Sequence, residues 1–469
     1  MLAESSQANP AGATQTHEEW RTAAGFSDEW RRAVAWIEHE LGGRAVRFER
    51  HPRWRPAAFL DLERNGQTIP LYFRGDRGTS DHGVYPLEHE MRVLQVLEAH
   101  GIPVPHVYGF CPDPRGIVME RSPGRPVAQL VSEDAATRQA VFDDYIEILA
   151  RMHRIDPAAF EAAGVARPRQ AQALALVDFD AWERAYRSKK QRPEPLIEFV
   201  IRWVRRNVPP GRNRIGLLTG DCGQFLYENA RVTALHDFEL ACLGDPAADL
   251  AGLRCRDTSE PLGNLARAIG RYGEIVGEAV DLTAVDYHTV RLGICTPMSV
   301  ASTVADPPSG ANLAQYYGWY LVYARLPLEV LAWRMGVELK PIDVPEERPT
   351  RHSPAYRALV SLLQDDPRST DQDRYRIDAA WRVAEYLRRA DLLGPAVEEQ
   401  DLEDMAVILG RRPANWIEGD AALEALVLAA RPERDAEFVR YFHRRVLRQE
   451  AILKPVMREL EHSIVQRIS

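Results

Sequence analysis

Between residues 27 and 41 apolar side chains recur at helical spacing. Trp30, Val34, Ile37 and Leu41 share one face, acids fill the first turn, and Gly42-Gly43 supply the stop, so the pattern predicts a helix from Ser27. The period then changes to two. AAFLDLER (57–64) and TIPLYFRG (68–75) flank Asn65-Gly66, a pair that favours a two-residue hairpin turn because both residues tolerate positive φ. On the second strand Ile69, Leu71 and Phe73 share one face, and Tyr72 and Arg74 the other. LEHEMRVLQVLEAHG (87–101) is amphipathic, with Gly101 as its stop. IPVPHVYGF and GIVMERSPGRP predict short strands and a Pro/Gly-punctuated connection. From about residue 127 the signal is helical, with Tyr145, Ile148, Leu149 and Met152 on one stripe. A compact β-like block occupies 215–245, and helical spacing resumes after it. KPIDVPEERPTRHSP (340–354) reads as a linker. The remainder predicts four to six helices, with Ile377, Trp381, Ala384 and Leu387 on a core or interface stripe.

Strands and one helix, then a larger helical part with a β insert, argue for an α+β class and two lobes rather than an alternating parallel-sheet enzyme. The expected organisation is a disordered tail (1–17), a small lobe of helix plus antiparallel sheet (18–121) and a large, mostly helical lobe with a hairpin (122–340). A linker (341–354) and an all-helical C-terminal domain (355–469) follow. There is no internal repeat.

Composition narrows the function class. Among 469 residues no apolar run approaches a membrane span, and the N-terminal stretch has neither the basic nor the apolar region of a signal peptide. Five scattered cysteines form no CxxC pair, which argues for a reduced, cytoplasmic setting and against a cysteine-based zinc site. A net charge of -9 argues against nucleic acid as a partner. Of 59 basic residues only Lys189, Lys190, Lys340 and Lys454 are lysines, so no mechanism can use a lysine in the first 188 positions.

The densest acidic and glycine cluster is TGD (219–221), HDFE (236–239) and GDPAADLA (244–251). Asp221 and Asp237 each follow apolar β-like residues, on arms joined by Glu228-Asn229-Ala230. Alone, either aspartate reads as a turn residue. Together they suit phosphoryl transfer, in which one carboxylate accepts the proton of the attacking hydroxyl and another holds Mg²⁺ against the phosphates.

GDCGQFLYENARVTALHDFELACLGDPAADLA resembles the catalytic core of aminoglycoside-phosphotransferase-like kinases, nearest to the branch acting on hydroxyacyl-CoA intermediates. LEHEMRVLQVLEAHGIPVPHVYGF, IVMERSPGRP and LARMHRIDP resemble that family's small-lobe helix and strand, its adenine hinge and the helix under its catalytic loop. The resemblance spans about 27–340. It implies a two-lobed protein-kinase-like fold with the C-terminal helices as an addition, and an ATP- and Mg²⁺-dependent transferase acting on a hydroxyl of a small molecule, antibiotic-like or a catabolic hydroxyacyl-CoA.

By position, Asp221 is similar to the catalytic base and Asp237 to the metal ligand. Asp249 is similar to the aspartate that braces the loop, and Glu90 to the partner of the phosphate-binding base. Met119, Glu120 and Arg121 would offer hinge groups to adenine. The chain departs from the family at four places. Thr219 stands where the family has His. The loop is two residues shorter, which puts Gln224 in place of the metal-binding Asn. ERHPRWRPAAF (49–59) has no glycine where a phosphate-covering loop is expected, and its Arg50, Arg53 and Arg55 read as a solvated basic edge in preference to contacts with anions. Arg74 must stand in for the absent lysine, a bulkier fork in place of a point charge.

Other signals read as structural: RWVRRNVPPGRNR (202–214) as a charged face, His153 and His236 as isolated histidines, Cys222 as a buried thiol. Two other functional readings stay open: a degenerate kinase fold that binds a nucleotide or metabolite without transfer, or the fold repurposed for another reaction. A homo-oligomer through the C-terminal helices also stays open.

Overall fold

The computed structural model describes residues 19–22, 26–51, 55–76, 85–364 and 371–468. The expected N-terminal tail and Arg53 lie outside them. By contact the chain divides into two compact units. One comprises 1–177, 212–253 and 262–280, and the other 178–211, 254–261 and 281–469.

In the first unit the short helix Glu19–Thr22 is followed by the helix Asp28–Leu41, with Asp28 and Glu29 in its first turn and Gly42 ending it at a φ of 66°. Its Trp30, Val34 and Ile37 pack with Leu60, Leu62, Leu71, Phe73 and Val118 from one face of a five-stranded antiparallel sheet. The strands are β1 (Arg44–Arg50), β2 (Ala57–Arg64), β3 (Gln67–Gly75), β4 (Val107–Pro112) and β5 (Arg115–Glu120), in the order β1-β2-β3-β5-β4. Asn65 and Gly66 both take left-handed backbone, at φ 54° and 75°, and close the β2–β3 hairpin in the register Arg64↔Gln67. β1 was not expected: RAVRFER buries only Ala45, so it carries no readable alternation.

The helix Leu87–Ala99 buries His89, Glu90, Val93, Leu94 and Leu97. The helix Ala135–Met152 starts from Asp134, whose carboxylate accepts the N–H groups of Ala136 and Thr137 at 2.9 Å, and buries the expected Tyr145, Ile148, Leu149 and Met152. The β-like block of 215–245 forms two small sheets. β6 (Arg125–Pro126) pairs with β8 (Phe225–Glu228), which pairs with β9 (Arg231–Leu235), and β7 (Gly216–Leu218) pairs with β10 (Cys242–Gly244). Asn229 and Ala230, at φ 50° and 61°, turn β8 into β9.

The second unit is helical. Its larger helices are Phe179–Lys189, Pro195–Arg206, Leu282–Ala305, Leu313–Met335, Ser353–Gln364, Asp371–Leu409, Trp416–Ala429 and Asp435–Leu453. Residues 337–350 carry neither helix nor strand. The stripe read from 377 to 387 is broken: Ala384 is buried, but Leu387 is exposed, and Arg382 and Glu385 are buried in its place. Arg382 donates to the Val456 carbonyl, a bond that hydropathy spacing cannot anticipate. Among the described residues no helix is long and apolar enough to cross a membrane.

Candidate active site

Arg74, near the end of β3, is buried, and its guanidinium is the centre of the site. Its Nε donates to Glu90 Oε2 at 2.8 Å, and its Nη2 bonds Asp237 Oδ1 and lies 3.4 Å from Glu239 Oε2. Glu90 reaches this point from the helix Leu87–Ala99 and accepts the Phe238 N–H on its other oxygen at 3.1 Å. One buried carboxylate thus fixes both the arginine and the segment that carries Asp237. The neighbouring His89 ties the same segment to the helix through the Ala241 carbonyl at 2.7 Å, and its burial holds the imidazole pKa below the ordinary value.

Asp237 follows β9 with a φ of 67°, a left-handed conformation that Asp tolerates better than most side chains. Burial opposes its ionisation, yet the charges of Arg74 and Arg55 prevail and hold its pKa well below the usual carboxylate range. Burial likewise disfavours the charge on Arg74, and Glu90, Asp237 and Glu239 more than restore it.

The second aspartate enters from the loop after β7. Gln224 donates its amide nitrogen to Asp221 Oδ2 at 2.7 Å and to Asp237 Oδ2 at 3.0 Å, bridging the two carboxylates. The donor set consists of hard oxygens, which suits Mg²⁺. A half-turn of the Gln224 amide would present oxygen in place of nitrogen. Among the described residues no three His, Cys, Asp or Glu side chains form a metal cage, so such an ion would take its other ligands from phosphates and water.

Three groups hold the 219–224 loop. Asp249 accepts the Thr219 N–H on both carboxylate oxygens, at 3.1 and 2.9 Å, and the Thr219 hydroxyl at 3.0 Å. The His153 ring lies 3.1 Å from Asp249 and 2.8 Å from the Tyr272 hydroxyl, so an imidazole braces this aspartate from another point of the chain. Tyr145, from the helix Ala135–Met152, accepts the Gly223 N–H at 2.9 Å and sits 3.0 Å from Cys222 Sγ. Cys222 is buried, and desolvation pushes its thiol pKa well above the ordinary value. Gly220 could not be replaced freely: its φ is 79°, and a Cβ would lie 2.3 Å from the Leu240 carbonyl oxygen.

The structure therefore brings together Arg74, Glu90, Asp221, Gln224 and Asp237, with Thr219 and Asp249 behind them. Met119 and Glu120 lie on β5, between β3 and β4, and Arg121 follows. The Glu120 N–H donates to His106 O at 2.8 Å and the Arg121 N–H to Pro70 O at 3.0 Å, so both of these donors are already engaged in or beside the sheet. Arg55 departs from the solvated edge expected for 49–59: it is 4% exposed and pairs with Glu239. Tyr145, His153 and Glu239 carry no site role that the sequence alone assigns, and Arg55 is one of three arginines it offers for anion contact. The His153 signal was its place in LARMHRIDP, that of Glu239 its place in HDFE, and that of Tyr145 only its place on a helix stripe. The basic stretch 202–214 is structural: Arg205 pairs with Glu183, Arg206 with Asp435 and Arg212 with Asp245.

Residues 80–286 match the model of the phosphotransferase enzyme family. The family-matched segment contains Glu90, the 219–224 loop, Asp237 and Asp249, while Arg55 and Arg74 precede it. Acyl-CoA dehydrogenase family member 10 of Mus musculus is 30% identical over 223 residues, 42% of this chain and 20% of that protein. Member 11 of Gallus gallus is 28% identical over 224 residues, 42% of this chain and 28% of that protein. The chain thus spans between a fifth and three tenths of the length of these curated relatives. A solved structure from Ralstonia eutropha, assigned to the aminoglycoside phosphotransferases, superposes with a TM-score of 0.53 at 18% identity, over 66% of this chain and 98% of that one. The fold is the kinase-like fold of the aminoglycoside phosphotransferases, with further helices C-terminal to it.

Proposed function

We propose that the protein transfers the γ-phosphoryl group of ATP to a hydroxyl of a small molecule. The observation that carries this reading is the convergence of Asp221, Gln224 and Asp237 on one point, with the Arg74–Glu90 pair beside it. Asp221 would orient the acceptor hydroxyl and take its proton as the new oxygen–phosphorus bond forms. The bond from the γ-phosphorus to the bridging oxygen breaks, and ADP leaves with that oxygen. Asp237, with Gln224, would hold Mg²⁺, whose charge offsets that of the phosphates. Arg74 would grip the phosphates by its fork, positioned by Glu90. The curated relatives bear acyl-CoA dehydrogenase names, which favours a hydroxyacyl thioester over an antibiotic as the acceptor class.

Asp221→Ala should abolish ADP formation with candidate hydroxyacyl-CoA acceptors while leaving stabilisation by Mg·ATP in thermal unfolding intact. Full residual turnover in that variant would remove Asp221 from its role. A second reading, nucleotide binding without transfer, is favoured by one observation: Gln224 turns its nitrogen, a donor, toward both aspartates. Stabilisation by Mg·ATP, with no ADP formed across hydroxyl acceptors, would select it.

A further inference from the structure

The loop before β2 has no glycine, so it cannot offer phosphate the close row of backbone N–H groups that such loops supply. Among the described residues of this loop Arg55 is buried. Its Nη2 bonds Glu239 Oε2, the same oxygen that lies 3.4 Å from Arg74 Nη2. Two guanidinium groups, one from the loop and one from β3, thus converge on a single anionic oxygen. That oxygen belongs to a residue two positions beyond Asp237, on a segment fixed by Glu90 through the Phe238 N–H.

Two planar forks on one oxygen, inside low-dielectric surroundings, form a strong receptor for a phosphate oxygen. Glu239 supplies the counter-charge where a phosphate would otherwise lie. Arg55 and Arg74 are almost fully buried, at 3% and 8% side-chain exposure, while Asp237 retains 23%, so the cluster meets solvent on the Asp237 side.

We propose that Arg55 and Arg74 form a two-arginine clamp for the polyphosphate of the nucleotide, with Arg55 replacing the missing glycine loop and Glu239 as the internal anion that the phosphate displaces. The clamp rests on the nucleotide reading above and extends it, because it transfers phosphate recognition from backbone to side chain. An incoming phosphate takes over the guanidinium hydrogen bonds, and Glu239 gives them up without any covalent change.

The test measures binding of Mg·ATP and of inorganic tripolyphosphate by calorimetry to the full chain and to Arg55→Ala, Arg55→Lys and Glu239→Gln, each checked for fold by circular dichroism. Loss of a charge-assisted bond should weaken both ligands by about tenfold or more in Arg55→Ala. Arg55→Lys should fall between it and wild type. Glu239→Gln, which removes the competing anion, should bind tripolyphosphate more tightly than wild type. Equal affinity of wild type and Arg55→Ala, with Glu239→Gln unchanged, would make the Arg55–Glu239 pair structural and overturn the clamp. Arg55-dependent binding of tripolyphosphate without binding of Mg·ATP would overturn the nucleotide reading and leave the clamp standing. Wild type that binds neither ligand would overturn both.

Discussion

Arg74 is the residue on which the site turns, because it pairs with three carboxylates, Glu90, Asp237 and Glu239, of which Arg55 shares Glu239. Removing it leaves buried charge without a partner, a far larger penalty than the net worth of any single pair. Arg74→Met should therefore cost about 3–5 kcal/mol of stability and eliminate stabilisation by Mg·ATP, as read from urea unfolding with and without nucleotide. A loss below ~1 kcal/mol would mean that the network is hydrated and weak. Arg74 as the candidate stand-in for a lysine was legible from the sequence, since no lysine precedes Lys189 and Arg74 lies on the polar face of its strand. The burial of Arg55 was not. In sequence it is one of three arginines in a proline-bearing loop, and only the long-range contact with Glu239 separates it from a solvated one.

At the scale of elements, the two segments that carry Asp221 and Asp237 are held by helices rather than by their own strands. β7 and β10 are only three residues each, too short to set the 219–224 loop alone. The helix Ala135–Met152 contributes Tyr145, whose oxygen accepts the Gly223 N–H inside the protein. Tyr145→Phe keeps the ring and its stacking on Phe225, at 4.8 Å between centroids, but leaves a buried N–H without that acceptor. A cost of about 1–3 kcal/mol follows. Because Gly223 lies between Asp221 and Gln224, kcat should fall while KM for the nucleotide holds. An unchanged kcat would reduce Tyr145 to a packing residue. Hydropathy marked Tyr145 for the core and could not show that its hydroxyl is used. The hairpins were legible because Asn65-Gly66 and Asn229-Ala230 carry their own turn chemistry, whereas β1, half polar and singly buried, gave no period to read.

For the whole molecule, acid should expose how the helical unit is tied together. Glu198 is buried and accepts Arg187 at 2.8 and 2.9 Å and Lys190 at 2.7 Å. Burial opposes its ionisation, but these hydrogen bonds outweigh it and hold the pKa below the ordinary 4.5. A carboxylate with a depressed folded pKa contributes in full above its unfolded value and loses that contribution as pH falls through the folded one. The chain should therefore lose stability below pH 4.5, in the window set by Glu198. Glu198→Gln should cost about 1–3 kcal/mol at neutral pH and flatten that acid limb, which urea midpoints against pH would reveal. An acid limb of unchanged steepness would assign the loss to other carboxylates.

The helical unit also bears on how the chain can be divided. The stretch without helix or strand, 337–350, sits where proline and charge marked a linker, and it invites a cut there. The contacts argue otherwise. The helix Pro195–Arg206 buries Leu196, Phe199, Val200 and Trp203. Phe199 packs 5.5 Å from Phe438 and 5.8 Å from Phe442, Arg206 bonds both Asp435 oxygens, and Lys190 bonds Glu424. No local pattern could have revealed pairings across more than two hundred residues. A chain ending at Thr350 would expose that apolar face, at about 1.5–3 kcal/mol for each buried side chain uncovered, and leave Arg206 without Asp435. It should aggregate or melt without a cooperative transition in calorimetry. A soluble truncated chain with a sharp transition at the wild-type midpoint would mean that residues 178–211 fold without the C-terminal helices, and the second unit would then be divisible at the linker.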